Sequence, residues 1–219
     1  LGYGDKAKLA AEKAAEMARH ASPYEVARIR AVRTRLAQDL DAAAKAYAEI
    51  CALIPNSPDA YFDLAGVQEK KGDLTRALVT FRKVLALDPK HPGAHYAVGR
   101  VLVKTGDPAG GIEEFNAALD LHRASGNEQG AATALNGLGM AYEYLSQYNE
   151  AARNFEQSLA IRERIGNRRG VCDSLRNLSL IRLSQGQYDG ASRLAQRSID
   201  VAREIGYSAG IAAGYSSLG

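Results

Sequence analysis

The sequence has no tryptophan, only four phenylalanines and only two cysteines among its 219 residues. With so few bulky side chains, a core must be built mainly from small apolar residues, above all alanine, which suits closely packed helices. Cys51 and Cys172 are too few and too far apart to indicate a disulfide framework or a metal-binding knuckle. We interpret Cys51 as a small buried hydrophobe and Cys172 as incidental, and a reducing, cytoplasmic setting fits both.

Neither sign of charge dominates, since the chain has 28 basic and 25 acidic residues and a net charge of +3. Nucleic-acid binding needs a clustered basic face, so no nucleic-acid partner is expected. No apolar run approaches the length of a membrane span and no signal peptide opens the chain, so no membrane association is expected. The first four residues lack an initiator methionine, and we therefore expect a piece of a longer protein.

Motifs for catalysis are also missing. Apart from the pair Gly110-Gly111, the glycines occur singly at predicted turns or inside predicted helices, so there is no phosphate-binding loop. His91 and His95 are four residues apart, but His91 precedes Pro92 in a predicted loop, with no acidic or cysteine partner evident nearby. His20 and His122 fall near helix ends, where a cation suits the helix dipole. We predict no enzyme activity, no metal and no cofactor.

Prolines and glycines recur at fixed intervals. Four of the six prolines form two pairs separated by 34 residues: Pro55 with Pro58, and Pro89 with Pro92. Ser22 to Glu25 reads as a capped helix start with proline at its first position. Gly72-Asp73 and Gly106-Asp107 read as turns in which the glycine ends one helix and the aspartate caps the next.

Residues 132–165 are the clearest copy of a repeat. One helical face carries Leu135, Leu138, Gly139 and Tyr142, and a second carries Ala151, Phe155 and Leu159. The order L-x2-L-G-x2-Y followed by A-x3-F resembles the tetratricopeptide repeat, with leucine where the motif prefers tryptophan. Three copies start 34 residues apart, at Tyr24, Pro58 and Pro92, and later copies start 40 apart, at Ala132, Cys172 and Ala212. We attribute the longer period to a longer second helix.

The resemblance implies an all-α fold, a right-handed α-solenoid of stacked antiparallel helix hairpins, because one hairpin cannot bury its apolar face alone. We expect a capping helix or half repeat over 1–21, three 34-residue units over 22–125, two 40-residue units over 126–211, and a sixth unit starting at 212–219. All belong to one continuous solenoid domain. Gly110-Gly111 replaces an expected alanine, which predicts either a soft joint or a close helix approach.

Binding residues follow from the resemblance. In this family the first helices line a concave groove that binds an extended peptide or a partner helix. The later repeats are similar to the 40-residue repeats of kinesin light chains and bacterial regulatory proteins, in which asparagines bridge a peptide backbone. Asn177 matches that position, whereas Asn136 lies one residue early, with Gly137 in the expected place. The candidate groove residues are Arg100, Lys104, Asn136, Met140, Glu143, Arg176 and Asn177.

The earlier repeats place Arg28, Arg35, Asp59 and Asp63 at groove positions. They do not reproduce the clamp by which chaperone-binding repeats hold a terminal carboxylate, because Asp63 stands where asparagine is expected. Basic residues in the later groove favour an acidic peptide.

We therefore predict a protein-interaction module, non-enzymatic, within a larger bacterial signalling or regulatory protein. The alternatives are a scaffold that self-assembles into homo-oligomers through open solenoid ends, or the non-catalytic part of a multidomain enzyme such as a kinase.

Overall fold

The computed structural model describes residues 8–9, 12–13 and 21–216, and within those ranges all regular structure is helical. Its helices are α1 (Pro23–Leu36), α2 (Leu40–Leu53), α3 (Pro58–Lys70), α4 (Leu74–Leu87), α5 (Pro92–Lys104), α6 (Pro108–Ala124), α7 (Glu128–Tyr144), α8 (Tyr148–Arg164), α9 (Arg168–Ser184), α10 (Tyr188–Glu204) and α11 (Ser208–Ser216). This confirms the all-α prediction. The helix expected over 1–21 lies outside the described residues, apart from four helical positions.

The helix boundaries follow the local signals in the sequence. Ser22 and Glu25 form the predicted capping box, since the Glu25 amide donates to Ser22 Oγ and the Ser22 amide donates to Glu25 Oε2 at 2.8 Å. Gly72 adopts a φ of +81°, which costs glycine little. Asp73 then caps α4 by accepting from the Arg76 amide at 3.2 Å. Each hairpin is thus delimited by its own turn chemistry.

The chain divides into two compact units, residues 1–94 and residues 95–219. In the first unit, α1 packs on α2, α2 on α3, and α3 on α4. Tyr47, Ile50 and Cys51 lie in its core, as predicted. Burial raises the pKa of the Cys51 thiol to about 11, so this thiol stays protonated at neutral pH.

In the second unit each helix from α6 to α10 packs against the next and has 17 residues, compared with 13 or 14 in α1 to α5. The predicted longer second helix is therefore present, but the first helix of each hairpin lengthens as well. The first helices α7 and α9 begin at Glu128 and Arg168, four residues before the motif starts. Asn127 and Asn167 explain this, because each caps its helix through its side-chain oxygen.

Glycines allow the helices of the second unit to approach closely. A Cβ added to Gly111 would lie 2.6 Å from Val103 Cγ2 and 3.0 Å from the Gly99 carbonyl oxygen. A Cβ at Gly99 would meet the ring of Phe115 at 3.0 Å. Of the two interpretations of Gly110-Gly111, these contacts support the close helix approach.

The interpretation of Cys172 as an incidental residue is wrong, because Cys172 is only 2% exposed and lies in the core of the second unit. Its carbonyl oxygen accepts a hydrogen bond from Ser198 Oγ at 3.0 Å. Forty residues earlier, the Ala132 carbonyl accepts from Ser158 Oγ at 2.8 Å. The two repeats therefore share a buried hydroxyl that ties the second helix to the first.

Candidate peptide-binding surface

Five of the seven predicted groove residues come together on α7 and α9 of the second unit. Asn177 Nδ2 donates to Asn136 Oδ1 at 3.1 Å, and Arg176 donates through a terminal nitrogen to Asn177 Oδ1, also at 3.1 Å. Asn136 Nδ2 lies 3.5 Å from Met140 Sδ, which is a weak acceptor. We call these four residues and Glu143 the α7–α9 surface.

The displaced asparagine has a steric cause. A Cβ at Gly137 would lie 2.8 Å from Cε1 of Phe115, so an asparagine side chain there would overpack the core. Position 136 avoids that ring, and its side-chain oxygen is still reached by Asn177. The two asparagines are therefore neighbours, although the sequence places them out of register.

The α7–α9 surface combines buried and exposed groups. Asn177 is 7% exposed and is fixed by its two hydrogen bonds, whereas Met140 is 46% exposed. Burial raises the pKa of the half-buried Glu143 carboxyl, and the nearby Arg176 charge opposes that rise. In the 40-residue register Glu143 replaces Val103 and Leu183, so it puts a carboxylate where the neighbouring repeats have aliphatic side chains.

The other two predicted residues lie on α5. The guanidinium carbon of Arg100 is 5.9 Å from the centre of the Tyr96 ring, within the range of a cation–π contact. Lys104 is the last residue of the same helix. The contacts that join the α7–α9 surface come from the other five residues.

One buried arginine that contacts α9 was not predicted from the sequence. Arg162, on α8, is 6% exposed and donates to the Gly170 carbonyl at 2.8 Å and to Ser174 Oγ at 3.0 Å. A Cβ at Gly170 would lie 2.8 Å from Arg162 Cδ. The arginine thus fixes the first turns of α9, the helix that carries Arg176. Aligning the 40-residue copies would have identified it, since glycine recurs at 130, 170 and 210.

The three described histidines have local contacts or surroundings that explain them, and His20 lies outside the described residues. His91 Nδ1 accepts from the Ala94 amide at 3.0 Å and so caps the start of α5. His95 Nδ1 lies 2.6 Å from Glu114 Oε2, an acidic partner that the sequence analysis did not find. Burial lowers the pKa of His122, which disfavours the cation that we expected at the end of α6.

Within residues 8–9, 12–13 and 21–216, no three His, Cys, Asp or Glu side chains are grouped so that they could hold a metal ion. Over the same part of the chain, none of the helices is both long and apolar enough to cross a bilayer.

Several solved structures resemble this fold. BtubC (BKLC) from P. vanneervenii matches with a TM-score of 0.79 and 17% identity over 94% of this chain and 93% of its own. Apo RapI matches with a TM-score of 0.76 and 15% identity over 83% of this chain and 70% of its own. MamA 41-end from Desulfovibrio magneticus RS-1 matches with a TM-score of 0.70 and 19% identity over 84% of this chain and 97% of its own. At these identities the likeness concerns the fold alone.

Sequence comparison gives the family. No curated protein matches the chain significantly. A tetratricopeptide repeat model matches residues 92–164 and again residues 132–204, which together make up more than half of the chain. A second tetratricopeptide repeat model matches residues 33–92. The chain therefore belongs to the tetratricopeptide repeat family, whose fold is a scaffold for protein–protein interactions.

Proposed function

We propose that the chain binds an extended, acidic segment of a partner protein on the α7–α9 surface. The observation that carries the proposal is the hydrogen-bonded pair of Asn177 and Asn136. Asn177 uses its oxygen and one N–H internally, and it holds the Asn136 side chain in place. Asn136 Nδ2 then donates only to a thioether sulfur, so a peptide carbonyl that replaced the sulfur would form a stronger bond.

Charge and apolar surface support the same ligand. The Arg176 guanidinium lies beside the asparagine pair, where it can donate to a carboxylate of the ligand. Met140 offers an exposed, deformable apolar contact on the same helix as Asn136. Arg100 and Lys104 extend the proposed groove along α5 with two further positive charges. The fitting ligand is an extended chain with an acidic residue close to an apolar one.

The first test identifies ligands without assuming a partner. The chain is used to select from a random peptide display library, and selected peptides are synthesised and titrated by calorimetry. We expect them to be enriched in Asp and Glu. Selection of basic or purely apolar peptides would contradict the proposed ligand chemistry.

Variants then locate the site. Asn136→Asp keeps an oxygen that accepts from Asn177 but replaces the donating nitrogen, and we expect it to weaken binding about tenfold. Arg176→Glu should weaken the binding of acidic peptides by at least the same factor. Arg153→Glu makes the same charge change at an exposed position on α8 and should leave affinity unchanged. Equal effects of the two arginine variants would mean that only net charge matters and that the α7–α9 surface is not the site.

The setting expected from the sequence, a larger bacterial signalling or regulatory protein, is part of the same proposal. It is tested by the full-length gene, which should encode a neighbouring kinase, cyclase or transcription-factor domain.

A further inference from the structure

A pocket in the first unit carries opposite charges on its two sides. It has a volume of about 400 Å³ and lies between α1 and α3. Arg28 and Arg35 line the α1 side, and Asp59 and Asp63 line the α3 side. Two tyrosines, a serine and several aliphatic side chains, including Ile50 of α2, complete the lining. Such a pocket is polarised, so it distinguishes the two ends of a ligand that carries both charges.

One end of this pocket is held by an ion pair across its two sides. A terminal nitrogen of Arg35 lies 3.7 Å from Asp63 Oδ1. The Arg35 guanidinium carbon also lies 5.9 Å from the centre of the Tyr47 ring. Arg35 and Asp63 are therefore already engaged with neighbouring groups inside the pocket.

The remaining two charges are exposed to a ligand. The Arg28 guanidinium carbon lies 5.6 Å from the centre of the Tyr24 ring. Glu25, the acid three residues before it, is engaged by the amide and hydroxyl of Ser22. The Asp59 side chain is 94% exposed, and the basic group that faces it is His91, whose Nε2 lies 4.0 Å from Asp59 Oδ1.

The α3 side carries two carboxylates but only one ion pair with an arginine, so negative charge is in excess there. Burial raises the pKa of the Asp63 carboxyl, the Arg35 charge opposes that rise, and the Asp59 charge adds to it. Asp59 and Asp63 thus repel each other across one turn of α3. An ammonium group placed between them would relieve that repulsion.

We propose that this pocket binds a small zwitterion of dipeptide size. Its ammonium group lies against Asp59 and Asp63, its carboxylate against Arg28, and its apolar side chain against Ile50 and Val32. A volume of about 400 Å³ is within the usual range for small-molecule sites. The site is in the first unit and is independent of the α7–α9 surface, so either proposal can fail alone.

Calorimetric and ¹H–¹⁵N NMR titrations of the whole chain test the charge requirement. The probes are alanyl-leucine, its N-acetyl derivative and its C-terminal amide. The free dipeptide should bind and shift amide resonances of α1 and α3. Each blocked form should bind about tenfold more weakly, because each loses one charge-assisted contact. No binding of the free dipeptide at millimolar concentration, or equal binding of all three probes, would overturn the proposal.

Two variants assign the charges to the two sides. With Arg28→Gln, the free dipeptide and its amide should bind equally, whereas the acetyl form should still bind more weakly. With Asp59→Asn, which leaves Asp63 in place, the advantage of the free form over the acetyl form should shrink. Both side chains are exposed, so the fold should be retained. Arg82→Gln, at an exposed position on α4 outside the pocket lining, is the matched control and should change none of the affinities. An effect of the control equal to that of Arg28→Gln would contradict the assignment.

Discussion

Two successive repeats of the second unit, α7–α8 and α9–α10, have the same helix lengths but fill their interiors differently. In the first, Gly139 faces Phe155, and a Cβ added to the glycine would lie 2.5 Å from the ring. In the second, serine and alanine occupy the equivalent positions, 179 and 195. Ser179 Oγ donates to the Ala191 carbonyl at 2.8 Å, and Ala195 is fully buried. The second repeat therefore has two small side chains where the first has a glycine and a phenylalanine.

The comparison shows that the repeat motif does not fix the residue at each position, because the side chains at two facing positions change together. In the first repeat the glycine leaves room for the phenylalanine that faces it. A serine is accepted where the facing side chain is small, because its hydroxyl finds a buried carbonyl. The departures of the second repeat from the motif are therefore one coupled change.

The largest expected effect tests that coupling. Phe155→Ala should destabilise the chain by about 3–5 kcal/mol, since the ring is fully buried. Adding Gly139→Ser gives this position the serine of the next repeat. It should recover about 1 kcal/mol of the lost stability through a hydroxyl–carbonyl hydrogen bond. In the wild-type background Gly139→Ser alone should cost about 1–3 kcal/mol by overpacking against the ring.

Urea unfolding of the four proteins measures this double-mutant cycle. If Gly139→Ser costs the same with and without the phenylalanine, the two positions are not coupled and the comparison fails.

The buried arginine gives the next largest effect. Arg162→Ala should cost about 2–3 kcal/mol, because it removes the packing of a buried side chain together with its hydrogen bonds to Gly170 and Ser174. Arg162→Met keeps most of the volume without the buried charge and should cost less than about 1 kcal/mol. The next repeat has Ala202 at this position, so the two repeats do not share the buried charge.

The control for this prediction is Arg197→Ala, which removes a half-exposed ion pair with Glu163 and should cost about 1 kcal/mol or less. Thermal and urea unfolding measure all three variants. A methionine variant as unstable as the alanine variant would show that the guanidinium contacts, not packing, hold α9.

The smallest effect concerns the turns between the helices. Ser146 adopts a φ of +57° where the next repeat has Gly186 at +73°. A left-handed conformation strains residues with a Cβ, so Ser146→Gly should stabilise the chain by about 1 kcal/mol. Gly186→Ser should destabilise it by a similar amount. Urea midpoints that move in the same direction for both variants would contradict this reading of the turns.

The sequence predicted much of the fold and part of the site. Asn177 and Arg176 were identified from the family pattern, and the capping residues from local rules. Arg162 was missed because an arginine near a helix end reads as solvent-exposed, and only the facing glycine reveals its burial. The one-residue displacement of Asn136 looked like a defect. Its cause, the Phe115 ring against Gly137, is a contact between helices that no local pattern encodes.

By itself, the sequence determined the helices, their turns and the repeat period, because caps, glycines and apolar spacing act over a few residues. It also determined the family, because these local signals recur at constant intervals. Only the tertiary structure decided how volume is shared between Gly139 and Phe155, and which polar side chains meet. Those features depend on which atoms are in contact between helices. Close packing distinguishes between side chains that the sequence pattern treats as equivalent.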